Sequence, residues 1–145
     1  MSRSGYDDDY GCGDNSIYLY RAAVERALKG KRGQDFLHEM LQAMASLPEK
    51  KLIDHDLERE GAFCAIGTVG KARGIDMTGI DPENIERVAR MFGIAESMAR
   101  EIVYMNDEFL WSNETPEQRF ERMRKWIEGE LFDGPARDVG GGQQP

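Results

Sequence analysis

The chain has 145 residues, one domain's worth, with 27 acidic against 19 basic side chains and a net charge of −8. That balance repels polyanions at long range, so nucleic acid is disfavoured as a ligand unless the cations cluster. No apolar run reaches membrane-span length and the first residues are not a basic-then-apolar leader, so the expected setting is the cytoplasm, with no membrane contact.

Residues 1–14 carry Asp7, Asp8, Asp9 and Asp14 among tyrosines and glycines, too little apolar area to offset the cost of ordering. They are expected to form a mobile acidic tail, and the Gly- and Gln-rich stretch 134–145 a second one. The folded domain is then 15–133. Ile17, Tyr20, Val24 and Leu28 make one helical stripe, with Asn15 or Ser16 as N-cap and Gly30 as stop. Phe36, Leu37, Met40, Leu41, Met44 and Leu47 make the next, ended by Pro48, so the pair reads as an antiparallel hairpin about Gly30 to Gly33. Leu52 to Leu57 fits either a short helix or an irregular segment. Ala62 to Ala72 is almost entirely apolar or small, which predicts a central helix whose glycines permit close backbone packing.

Asp81 and Pro82 open a further helix bearing Ile85, Val88, Ala89 and Phe92, and Gly93 closes it. Met98, Ile102, Met105 and Phe109 mark the next. Thr115, Pro116 and Gln118 form a capping box for a last helix that buries Phe120, Met123, Ile127 and Leu131. About six helices result and no segment sustains an alternation of period two, so the fold class is all-α, a compact single-domain bundle. Of the two cysteines, Cys64 reads as a core residue and Cys12 as an exposed thiol; they do not suggest a disulfide framework.

Val88 to Val103 has the apolar spacing of a helix-turn-helix, with Val88, Phe92, Ala99 and Ile102 where two crossing helices pack. Its second helix, however, offers Arg100 as the only cation between Ala95 and Met105, set against Glu96 and Glu101. A DNA-reading helix wants Arg, Lys, Asn or Gln there. Acids and aromatics continue through Tyr104, Asp107, Glu108 and Trp111, and such a face can contact the Arg and Lys of a protein that handles nucleic acid. The cations instead gather at Arg21, Arg26, Lys29, Lys31 and Arg32, which is either a docking site for an anion or phosphate backbone, or a set of solvated complements to the first helix dipole. His55 lies among Asp54, Asp56, Glu58 and Glu60, but no second His or Cys stands at ligand spacing, so neither a metal nor another cofactor is expected. No nucleophile and base pair or phosphate loop is evident, and an enzyme is not expected.

Four strings together carry a resemblance: GKRGQDFLHEML (Gly30 to Leu41), ARGIDMTGIDPE (Ala72 to Glu83), FGIAESMAREIVYMNDE (Phe92 to Glu108) and TPEQRFERMRKW (Thr115 to Trp126). They resemble a group of small proteins encoded by phages and prophages of proteobacteria. The resemblance implies a phage or prophage setting in a host cytoplasm and carries over no site residues. Small acidic phage proteins include inhibitors of host defence such as the anti-CRISPR proteins. The leading expectation is therefore a non-enzymatic inhibitor that binds a host defence complex, a CRISPR effector for example, through Glu96, Arg100, Glu101, Tyr104, Asp107, Glu108 and Trp111. The alternatives are a helix-turn-helix DNA-binding regulator using Arg21 to Arg32 on phosphates, and a phage structural or assembly accessory protein. A homodimer through an apolar helix face is compatible with the pattern.

Overall fold

The computed structural model describes residues 3–4, 16–108 and 113–132. Six helices occur among them: α1 (Ser16–Lys29), α2 (Lys31–Ala45), α3 (Ala65–Arg73), α4 (Ile85–Phe92), α5 (Glu96–Asp107) and α6 (Pro116–Glu130). A two-stranded antiparallel ribbon, β1 (Glu58–Arg59) and β2 (Ala62–Phe63), precedes α3 and pairs Glu58 with Phe63. The fold is all-α in substance.

Helix α2 is the centre of the core. Its Phe36, Leu37, Met40 and Met44 are buried, chiefly against α3, whose Ala65 to Gly70 is buried without a break. The continuous small and apolar run of α3 is thus the signature of a helix enclosed on several sides. Phe36 meets Phe92 of α4 edge to face at 6.3 Å, a favourable aromatic geometry. Lys51 to Leu57 forms no helix; its backbone bonds to Phe63 and Pro116 instead. The ribbon takes Ala62 and Phe63, so α3 starts at Ala65 with Cys64 as N-cap. Similarly, α4 starts after the side chain of Asn84, not at Asp81 and Pro82, because Asp81 spends its carboxylate on Glu83 N–H in a turn. The capping box on α6 forms as the sequence predicts, with Thr115 and Gln118 each accepting from the other's backbone N–H.

Only Gly30 separates α1 from α2, and its extended backbone turns the chain in a single residue. The expected hairpin loop is therefore a tight corner. A Cβ at Gly33 would run into the carbonyl oxygen of Ala27, so glycine is what lets the start of α2 lie on the end of α1. At the other corner, Gly93 takes φ 74° and ends α4, and Ile94 and Ala95 lead directly into α5. Val88, Phe92, Ala99 and Ile102, the packing positions of the helix-turn-helix spacing, are all buried.

Candidate nucleic-acid interface

The sequence predicts that α5 presents acids and aromatics outward, and the structure turns most of them inward. Glu101 is 6% exposed and accepts from Arg21 of α1 at 2.9 Å. The Asp107 carboxylate receives Nε and Nη2 of Arg3, both at 2.9 Å, in a bidentate pair 1% exposed on each side. Glu108 is 7% exposed and accepts from both the backbone N–H and the hydroxyl of Ser4. Arg100 donates to Glu96 and to the Ser4 carbonyl, each at 2.6 Å. Tyr104 is half-buried against the core. Trp111 lies outside the described residues.

The partner-binding surface predicted from Glu96 to Glu108 is thus largely an internal ion-pair layer. The physical reason is that desolvated carboxylates need hydrogen-bond donors, and Arg21 of α1 together with Arg3 and Ser4 provide them. For the same reason the tail expected over 1–14 fails at two positions. Arg3 and Ser4 are buried against α5, and the Arg3 guanidinium also reaches Cys64 Sγ at 3.8 Å. The rest of 1–14, like the stretch 134–145, lies outside the described residues.

A polar hub that spacing does not reveal sits at the end of α5. Buried Asn106 accepts from Ala65 N–H at the start of α3 and donates to the Ile53 carbonyl. Its own carbonyl accepts from Arg119 Nε, and Arg119 also reaches the Leu52 carbonyl, Asp54 and Glu114. Arg122 grips Glu114 at 2.6 Å and the Met105 carbonyl. This hub ties α3, α5 and α6 to the segment before the ribbon. It is scaffold, since every group named in it is paired inside the protein.

The basic cluster fares differently. Arg21 is taken by Glu101, Lys29 is held loosely by Glu25 and Glu130 at 3.7 and 3.9 Å, and Lys31 makes an exposed pair with Asp35. Arg26 and Arg32 are exposed. Every described arginine except Arg26, Arg32 and Arg87 has a carboxylate partner among the described residues. Arg26, Lys31 and Arg32 line a cleft of about 210 Å³ whose opposite wall is Ile94, Ala95 and Met98. The basic cluster and the start of α5, far apart in sequence, therefore meet. The first turns of two helices border this cleft, and neither N-cap, Gly30 or Ala95, has a side-chain acceptor to offer.

His55 is exposed beside Asp54, and its strained backbone, φ 69°, lets its N–H reach Asp107. Among the described residues no group of three His, Cys, Asp or Glu could hold a metal ion, and no helix is long and apolar enough to cross a membrane. No protein-family model, curated protein or solved structure matches the chain.

Proposed function

We propose that this protein binds the phosphate backbone of nucleic acid through the face where the α1–α2 corner meets the start of α5. The observation that carries the reading is the cleft itself, which joins Arg26, Lys31 and Arg32 to the first turn of α5. Cations beside helix starts suit phosphate oxygens in charge and in hydrogen-bond direction. The net charge of −8 keeps such binding modest and dependent on low salt, because the rest of the surface repels the ligand.

This reading differs from a conventional helix-turn-helix regulator in one respect. The face of α5 that would enter a major groove is occupied by Arg21 of α1 and by Ser4, so base reading by Glu101 or Arg100 is not part of it. Binding is then indifferent to sequence. The defence-inhibitor reading loses its main anions to Arg21, Arg3 and Ser4, and no observation favours an assembly role. Fluorescence anisotropy with labelled duplexes of several unrelated sequences tests the proposal. Comparable, saturable binding to all of them at low salt is expected. A flat signal at low salt would remove the proposal, and strong preference for one sequence would move the contact back to base edges.

A further inference from the structure

We infer that the cleft between Arg26, Arg32 and Ala95 is a discrete seat for a single phosphate group, one that binds the group even when no polymer is attached. The inference rests on the nucleic-acid reading for its biological sense, but not for its chemistry. Two features carry it.

The first is the pattern of pairing. In an acidic chain carboxylates are abundant, and the arginines of α3, α4, α5 and α6 that have partners find them at 2.6–3.5 Å. Arg26 and Arg32 have none among the described residues, although Asp35 and Glu39 border the adjoining hollow with Arg32. Two arginines with no carboxylate partner among the described residues line one concavity, and the forked donors of a guanidinium match a tetrahedral oxyanion.

The second is size and shape. At about 210 Å³ the cleft falls below the roughly 300–1,000 Å³ of pockets that enclose drug-sized ligands, a size that suits a small anion such as phosphate. The first turns of α2 and α5 border the same space, and neither N-cap, Gly30 or Ala95, brings a side-chain oxygen that would compete for the helix-start N–H groups. The remaining wall, Ile94 and Met98, is apolar, which strengthens the electrostatic attraction at the seat.

Titration of the full-length protein with inorganic phosphate, followed by amide chemical shifts at constant ionic strength, tests the seat directly. Saturable shifts confined to Gly30–Gly33 and Ala95–Met98 are expected, and Arg26→Gln with Arg32→Gln should abolish them while leaving the rest of the spectrum in place. The same two proteins are then titrated with duplex DNA. Phosphate shifts without DNA binding would uphold the seat and overturn the nucleic-acid reading. DNA binding unchanged in the double variant, with no phosphate shifts in the parent, would overturn the seat and leave nucleic-acid binding to another surface. Shifts scattered over all exposed lysines would mean counter-ion association only and would overturn it too.

Discussion

Arg119 shows how much of this molecule is decided by single guanidinium groups. It is 8% exposed, and it satisfies two backbone carbonyls, one of them on a segment that has no regular structure to do so. Arg119→Met should cost about 2–3 kcal/mol in urea unfolding, because the Leu52 carbonyl is left desolvated without a donor and Glu114 is left to Arg122. A loss below about 1 kcal/mol would mean that Arg122, which also binds Glu114, carries the hub alone.

Two carboxylates should respond to pH in opposite senses. The hydrogen bonds from Arg73 hold the Glu39 carboxyl below the usual carboxylate range. Its stabilisation is therefore present above the unfolded-state value and lost as pH falls through the lower folded value. Burial pushes the Glu130 carboxyl up, with Lys29 opposing, so its ionised form costs stability at neutral pH and that cost is relieved on acidification. Glu39→Gln is expected to lower the melting temperature at pH 7 and to converge with the parent in acid. Glu130→Gln should raise it slightly at pH 7 and likewise converge. The same sign for both variants at pH 7 would contradict these assignments. None of this pairing is legible from spacing: Arg3 and Asp107 are 104 residues apart, Arg21 and Glu101 are 80 apart, and in sequence the acids of α5 read as solvent-facing.

Among the elements, the helices are legible in the sequence because caps and stripes are local. Thr115 to Gln118 specify the start of α6, and the apolar positions of α4 and α5 name their buried faces. What escapes is the first part of the Ala62 to Ala72 run. Phe63 and Cys64 look helical by composition, yet Glu60 and Gly61, both at positive φ, make a turn that pairs Ala62 and Phe63 with β1. Close approach of elements is the other thing composition only hints at. Gly33→Ala should destabilise by about 3 kcal/mol or more, since the new methyl group meets backbone, the Ala27 carbonyl, and cannot be relieved by a rotamer change. Gly129→Ala, in α6 with open space around it, should instead stabilise by about 0.5–1 kcal/mol. Thermal unfolding of the two variants side by side checks the contrast, and equal effects would show that the α1–α2 corner can open without cost.

Over the whole molecule, the charge is sorted by place. An acidic chain has paired most of its described arginines with carboxylates, some of them internally, as where Arg21 ties α1 to α5 and Arg119 and Arg122 tie α6 to the end of α5. It has left Arg26 and Arg32 without a carboxylate among the described residues, at the corner where α1, α2 and α5 converge. The basic cluster and the start of the second helix of the helix-turn-helix spacing are each visible in the sequence. That they share one cleft is not, because it depends on how α1 packs on α5. The salt dependence of DNA binding in the parent and in Arg26→Gln with Arg32→Gln tests the central claim most directly. Removing one phosphate-binding cation should make the slope of log K against log salt shallower by about 0.9, so the double variant should bind more weakly with a slope shallower by nearly 2. Equal slopes for the two proteins would place the phosphates elsewhere and contradict the account.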